Sequence, residues 1–362
     1  MIEYKNKILL ISSSGKTGGG PSHIFLLKEL LKDEFDFYLA MPFFNTKSKI
    51  SDKKYLDISE RKILFVDIIR LIIFSKKNSI DIIHAHGKGA GLIARIIKIF
   101  LNKPLIYTFH GIHTTCLSRL TKFLYIFYEN ITGWIDDEKV FVSISEKRQT
   151  RNLRIFIGKN NTIINNSTNE MIKIKDNRKK SNLKIGIKNN RMNIISICRL
   201  VDQKNIFEIF KIAKNLQSYN FIVLGDGYLL EKAKIYLKNN EITNVYLFGN
   251  TIDIFKYLYE SDLFLSTSLY EGHPISILEA MSIGLPIVAS KVTGNIDTIK
   301  SGYSGFFYKL GDINQATYFI EKIMQNGPLK LKISSNSFLT HRKLFTTKKM
   351  KNAYFSLYKK YI

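Results

Sequence analysis

Short apolar runs alternate with longer segments of helical period along most of the chain. Ile8–Ser12, Phe37–Met41, Pro104–Phe109, Val140–Ser145 and Thr162–Asn166 read as strands, since brief apolar runs bounded by turn formers suit strands buried on both faces. Asp81–Gly87 reads as a strand running into a loop, and Ser22–Leu31, Val66–Lys76 and Gly89–Phe100 read as helices. The lysine-rich tract Lys173–Lys184 interrupts the alternation and predicts a linker. Beyond it, Met192–Cys198, Phe221–Gly225, Val245–Asn250, Asp262–Ser268 and Ile287–Ala289 read as strands, with a helix over Ile206–Leu216. A further helix opens at Ser276 and stops at Gly284, where a left-handed cap belongs, and Pro286 prevents its continuation. The chain closes on a basic amphipathic helix, Lys343–Tyr361. Strands alternating with helices predict an α/β protein with parallel sheets.

The 362 residues are enough for two domains, each with its own core. A hydrophobic content of 45% with 23% charged residues fits a globular protein. Cys116 and Cys198 lie far apart, which argues against a disulfide framework or a cysteine zinc site and favours a reducing compartment. The first residues lead directly into a strand, and the longest apolar stretch, Ile63–Phe74, carries Asp67 and Arg70. The expectation is a cytoplasmic protein, at most peripheral on the inner face of a membrane. The net charge of +25 is shared by both halves. It favours polyanions in general (anionic lipid, nucleotide, RNA) without indicating a nucleic-acid arm, and part of it reflects a lysine-rich composition.

Several residues carry candidate chemistry. Gly15-Lys16-Thr17 resembles the end of a P-loop, but Leu10 stands where that motif needs glycine. Ser13–Gly20 reads instead as a turn whose amides approach a phosphate, or as a plain flexible turn. His84-x-His86 has no third metal ligand visible in the sequence. His110 follows a strand and precedes Gly111; a histidine so placed is structural more often than catalytic, and His113 ranks lower. Arg199 and Lys204 place two cations between a strand and a helix N-terminus, fit to hold a diphosphate or simply to be solvated. Glu271 and Glu279, with seven residues between them, flank a strand-to-helix loop where a carboxylate can accept two bonds from a ribose diol. Ser276-x-x-Glu279 equally fits a capping box. Residues 117–131 set Arg119 and Lys122 among aromatic and aliphatic side chains, as in a helix lying in a lipid headgroup layer or a core helix with two exposed cations.

Glu271-x7-Glu279 followed by Ala280-Met281-x-x-Gly284-x-Pro286-Ile-Val-Ala-Ser290 is similar to the retaining nucleotide-sugar glycosyltransferases of family 4. Arg199-Leu-x-x-x-Lys204, Gly18-Gly19-Gly20 and Thr108-x-His110-Gly111 resemble the same family. The resemblance implies the GT-B architecture of two Rossmann-like domains facing across a cleft. The first would take the acceptor (residues 1–175, with 343–362 packing back on it) and the second the donor (186–342). It also implies that His110, Glu271, Arg199 and Lys204 serve catalysis. Donor binding would involve Gly19, Arg199, Lys204, Gly225, Phe248, Asn250, Glu271, Ser276, Ile277 and Glu279. Within that set, Arg199 and Lys204 hold the diphosphate, Glu279 the ribose, and Glu271 lies beside the sugar.

The implied reaction moves a hexosyl or N-acetylhexosaminyl unit, from a UDP-sugar by preference, to a glycan or polyprenyl-linked acceptor in surface-polysaccharide assembly. Members acting on lipid-linked acceptors dock through the part of the first domain that holds residues 117–131, so an anionic membrane surface is a further expected partner; a specific nucleic acid is not. The chain has no Asp-x-Asp motif, so the expectation is no metal and no cofactor. Asn166 stands where the family shows glycine, and Val292-Thr-Gly294-Asn295-Ile-Asp297 replaces Gly-Gly-x-x-Glu. Two rivals remain: a nucleotide-sugar epimerase of the same architecture, and a non-catalytic RNA- or membrane-binding protein on this scaffold.

Overall fold

The computed structural model describes residues 5–15, 18–42, 52–62, 64–112, 114, 117–169, 187, 191–251 and 253–362. Expectations resting on Lys16, Thr17, His113, Cys116 and the linker Lys173–Lys184 lie outside these. The chain divides into two compact α/β units, Met1–Asn166 with Lys348–Ile362, and Ser167–Thr347. The sequence reading drew these divisions at 175/186 and 342/343.

In the first unit seven parallel strands run β1 (Lys7–Ser12), β2 (Asp36–Met41), β3 (Tyr55–Asp57), β4 (Ile82–His86), β5 (Leu105–Thr108), β6 (Glu138–Phe141) and β7 (Asn161–Ile163). Their spatial order is β3-β2-β1-β4-β5-β6-β7, so the winding reverses between β1 and β4, where Ser12 pairs with His86. Parallel pairing requires a crossover between strands, and helices on both faces then demand the nearly unbroken apolar runs seen in β1, β2 and β4. The helix Thr347–Lys359 completes one face: Met350, Tyr354, Leu357 and Tyr358 pack with Ile8, Leu10 and Leu39. It is pinned by Tyr358 to His84 (2.7 Å), Lys351 to Glu34 (2.8 Å) and Lys360 to Glu138 (2.8 Å).

Three expectations need correction here. The terminal helix starts at Thr347, after a separate helix Gly327–Leu344, because Phe345 turns into the core of the second unit. The run Val140–Ser145 is strand only to Phe141; Ser143 then caps a helix, Ile144–Asn152, accepting from the Glu146 amide at 3.2 Å. The first helix begins at Gly19 and not at Ser22, so the glycine run forms its opening turn.

The second unit has six parallel strands, β8 (Asn193–Ile197), β9 (Asn220–Leu224), β10 (Val245–Gly249), β11 (Leu263–Ser266), β12 (Ile287–Ser290) and β13 (Gly305–Tyr308), ordered β10-β9-β8-β11-β12-β13. This is a Rossmann-like winding, and its direction reverses between β8 and β11. Side chains fill both faces of the sheet: Ile194, Phe221, Leu263 and Val288 on one, Ile195, Ile222, Phe264 and Ile287 on the other. The reversal leaves an opening at the carboxyl ends of β8 and β11, and the residues singled out by the sequence follow those ends.

Candidate active site

Beyond β8 and β11 a small cleft is lined by Cys198, Lys204, Ser266, Thr267, Ser268 and Ser276 among others. Lys204 ends a single 3-10 turn, Asp202–Lys204, and Asn205 behind it takes the left-handed conformation (φ 49°) that turns the chain into the helix Ile206–Asn215. Thr267 fixes this turn by donating to the carbonyls of Lys204 (2.8 Å) and Asn205 (3.1 Å). Lys204 Nζ then meets Glu271 Oε1 at 2.5 Å, and Ser268 Oγ donates to the same oxygen at 2.7 Å. Both partners of the pair are largely buried, so the charges compensate one another out of bulk water.

Glu271 is held from behind as well. Its amide donates to Thr293 at 3.0 Å, and Gly294 (φ 84°) lies so close that a Cβ there would sit 2.7 Å from the Glu271 Cβ. The departure from Gly-Gly-x-x-Glu thus keeps the one glycine that this approach requires. Its neighbour Asn295 donates to the Ser290 carbonyl at 3.0 Å, and Ser290 to the Ser268 carbonyl at 2.6 Å. Sequence reasoning did not single out Ser268, Ser290 or Asn295; the only signal was the hydroxyl-rich end of the β11 run.

Arg199 stands half-buried two residues past β8, and its guanidinium makes no hydrogen bond or ion pair among the described residues. Gly225 explains how the backbone there is shaped. It has φ 129°, and a Cβ on it would lie 2.0 Å from the Cys198 carbonyl oxygen. The resemblance placed Gly225 among the donor-binding residues; its packing against the residue before Arg199 is reason enough for glycine. Gly225→Ala is expected to destabilise by about 2–3 kcal/mol through overpacking and backbone strain. Chemical denaturation checks this, and an unchanged midpoint would contradict the packing account. Tyr228, from the same turn, donates to Asp202 at 2.6 Å and clips the two loops together.

The helix Ile275–Ser282 carries Ser276, Ile277 and Glu279. Pro274 occupies the N-cap position with no side-chain cap, so Ser276 lies inside the helix and the capping-box reading of Glu279 is overturned. The amides at 275–277 precede the first intrahelical bond and face outward from the helix end. Ile277 offers only that amide, since its side chain is fully buried in the core. The Glu279 carboxyl is half-buried with no hydrogen bond among the described residues, and burial pushes its pKa up to about 7. Phe248 packs on Tyr257 (ring centroids 5.2 Å apart), and Asn250 is exposed past β10. The structure therefore joins Lys204, Glu271 and Ser268 directly and sets Ser276 on their cleft. Arg199, two residues past β8, and Glu279, within the helix that follows β11, are not among the residues lining that cleft and are bonded to none of them.

In the first unit the carboxyl ends of β4 and β5 gather histidines. His110 has φ 59° and precedes Gly111 (φ 104°), whose amide donates to the buried carboxylate of Glu146. That strained turn aims His110 Nε2 at His86 Nδ1, 2.9 Å away. His23 lies edge-on to His110, ring centroids 4.7 Å apart, and is bonded to Asn166 Oδ1 (2.9 Å) and the Tyr354 hydroxyl (3.1 Å). Asn166, which stands where the family shows glycine, has no positive φ, and its side chain holds His23. Burial lowers the pKa of all four histidines, His23 to about 4 and His84, His86 and His110 well below the usual value, so they are neutral at pH 7. Gly19, at the start of its helix, is exposed.

The family model described as Glycosyltransferase Family 4 matches residues 17–167, and that for Glycosyl transferases group 1 matches residues 177–339. The chain belongs to the family 4, group 1 glycosyltransferases. Among curated relatives, this glycosyltransferase is 28% identical over 281 residues to an Escherichia coli UDP-Gal:α-D-GlcNAc-diphosphoundecaprenol α-1,3-galactosyltransferase, covering 73% of this chain and 71% of the relative. It is 25% identical to the capsular polysaccharide biosynthesis glycosyltransferase CapM of Staphylococcus aureus, covering 75% and 76% of the two chains. The fold matches Anabaena HepE in complex with UDP-glucose, with TM-score 0.86, 17% identity and coverage of 98% and 99%. It also matches the sucrose-phosphate synthase of Thermosynechococcus elongatus, with TM-score 0.85, 16% identity and the same coverage.

Proposed function

We propose that this glycosyltransferase moves a hexosyl or N-acetylhexosaminyl unit from a UDP-sugar to a glycan or polyprenyl-linked glycan acceptor, retaining the anomeric configuration and using no metal. The observation that carries this reading is the bonded Lys204–Glu271 pair, with Lys204 lining one cleft with Ser276 of the helix that opens at Ile275, while Arg199 and Glu279 keep side chains without bonds among the described residues. A diphosphate would draw Lys204 from Glu271, take Arg199 and the helix amides, and leave Glu271 facing the sugar. Negative charge develops on the departing diphosphate, and these fixed donors stabilise it where a metal would otherwise act. Glu279 would accept both hydroxyls of the ribose, and His110 would serve the transferred sugar and the acceptor. Glu271 positions the donor and forms no covalent bond in this scheme.

The E. coli relative acts on a GlcNAc-diphosphoundecaprenol and the S. aureus relative in capsular polysaccharide biosynthesis, which favours a lipid-linked acceptor in surface-polysaccharide assembly. Solved neighbours carrying UDP or UDP-glucose favour the uridine nucleotide. The test is thermal unfolding against a panel of UDP- and GDP-sugars with EDTA present. A shift with one UDP-sugar supports the reading, and no shift with any of them contradicts it. An epimerase would interconvert the donor with no acceptor added, whereas salt-sensitive RNA binding without donor turnover would favour the non-catalytic rival.

One observation favours a lipid surface as a partner. The helix Arg119–Thr132 packs Tyr125 and Ile126 on the core and buries Glu129, bonded to the equally buried Arg95 at 2.8 Å, while Leu120, Phe123, Leu124, Phe127 and Ile131 are exposed. Trp134 beyond it is 72% exposed, and the same unit exposes Phe65 (75%) and Val66 (61%). Such a surface with Arg119 exposed suits an anionic headgroup layer. Among the described residues no helix is long and apolar enough to cross a membrane. Phe123→Asp combined with Phe127→Asp is expected to reduce binding to vesicles containing anionic lipid by about tenfold or more. Equal co-sedimentation of variant and parent would argue against this partner.

A further inference from the structure

His23, His86 and His110 come from three different segments, and one ring nitrogen of each lies within 4.8 Å of those of the other two. We infer that these three side chains form a binding site for a single zinc-like divalent transition-metal ion, with a fourth coordination position left open. Of His84-x-His86 only His86 takes part, and His23 and His110 supply the other two ligands, which the sequence did not reveal. His84 is not among the three rings whose nitrogens converge; its own are bonded to Tyr358 (2.7 Å) and Thr108 (2.8 Å).

Zinc–nitrogen bonds of roughly 2.0–2.1 Å hold two ligand nitrogens of a tetrahedral ion about 3.3 Å apart. Here the His86–His110 pair is at 2.9 Å and no chosen pair exceeds 4.8 Å, so closure needs side-chain adjustments and not a new fold. Imidazole nitrogen is a common ligand for such an ion, and His23 and His86 are buried while His110 is half-buried. The supporting contacts are of the kind that orient metal ligands. Asn166 Oδ1 can only accept, so it fixes the proton of His23 on Nδ1 and leaves a lone pair on Nε2, now met by the Tyr354 hydroxyl. His86 Nε2 is buried with no hydrogen-bond partner among the described residues, so it can carry the ring proton and leave the lone pair of Nδ1, the atom 2.9 Å from His110 Nε2, for the ion. The buried carboxylate of Glu146, bonded to the Gly111 and Val142 amides, places a negative charge beside the His110 turn. His110 is half-buried, which gives the ion a route in and leaves the fourth position to water or a ligand oxygen.

Occupancy would remove His110 from the reaction, making the ion an inhibitor; that consequence rests on the role proposed above for His110, whereas binding does not. The full chain, stripped with EDTA, is titrated with Co2+ and then Zn2+. One equivalent of Co2+ is expected to give the visible absorption of a tetrahedral site, displaced by Zn2+. His23→Ala and His86→Ala should each weaken binding at least tenfold while circular dichroism stays native. If a variant fails to fold, X-ray absorption of the Zn2+-loaded parent decides: three imidazole nitrogens are expected, and a shell dominated by oxygen or sulfur overturns the site. Absence of stoichiometric binding, or binding untouched by both substitutions in folded protein, also overturns it. Zn2+ bound at these histidines without slowing transfer supports the site and counts only against the role of His110.

Discussion

Arg199→Ala and Lys204→Ala each lower turnover by roughly a hundredfold or more, the cost of losing one preorganised charge donor to a leaving group. The two variants should nonetheless differ in stability, and the difference is diagnostic. Arg199 has no partner among the described residues in the ligand-free chain, so its removal leaves the unfolding midpoint nearly unchanged. Lys204 neutralises Glu271 at 2.5 Å, and both side chains are largely buried. Its removal strands a carboxylate that keeps only the Ser268 hydroxyl at 2.7 Å among its described side-chain partners, at a cost of roughly 3 kcal/mol. Adding Glu271→Gln to Lys204→Ala should restore much of that stability and none of the turnover. Steady-state kinetics beside denaturant melts on the four proteins check this. Normal turnover in both single variants would remove the diphosphate role.

The second large effect concerns Glu279. Burial holds its pKa near 7 in the folded chain, against 4.5 for an ordinary glutamate. The folded state therefore binds more protons than the unfolded state between those values, and stability falls as pH rises through that window and levels off above it. Glu279→Gln cannot ionise, so it should melt higher than the parent at pH 8 and close to it at pH 5. Donor binding runs the other way. A ribose diol offers two protons, which only the ionised carboxylate can accept fully, so affinity for a nucleotide should rise with pH through about 7 in the parent. The glutamine variant should bind more weakly, by about tenfold or more, with that pH dependence gone. A carboxylate serving structure alone would lose stability on substitution and leave the nucleotide profile unmoved.

The sheets were legible because each buried parallel strand must be an apolar run, and β1, β8, β9, β11 and β12 announce themselves that way. The turns that place chemistry were legible where glycine or proline marks a backbone need, as at Gly284 (φ 85°) and Pro286. What pairs with what was not. Lys204 and Glu271 each follow a strand that borders the reversal of winding, yet nothing local says that the one will hold the other. His23 gave no signal of meeting His86 and His110, because its place depends on Asn166 and on Tyr354 from the far end of the chain. In the helix Arg119–Thr132, left open between a headgroup-layer and a core reading, the burial of Glu129 was not legible, because it depends on Arg95 from another helix. Phe345 broke the expected terminal helix for a reason equally remote, the core of the second unit.

The central claim is that Arg199 and Lys204 grip the second phosphate of a nucleotide. Isothermal titration of the parent and of Arg199→Ala with UDP and then UMP tests it most directly. The parent should prefer UDP by at least tenfold, and the variant should lose most of that preference while still binding UMP. Wild-type discrimination between the two nucleotides in folded Arg199→Ala and Lys204→Ala proteins would contradict it.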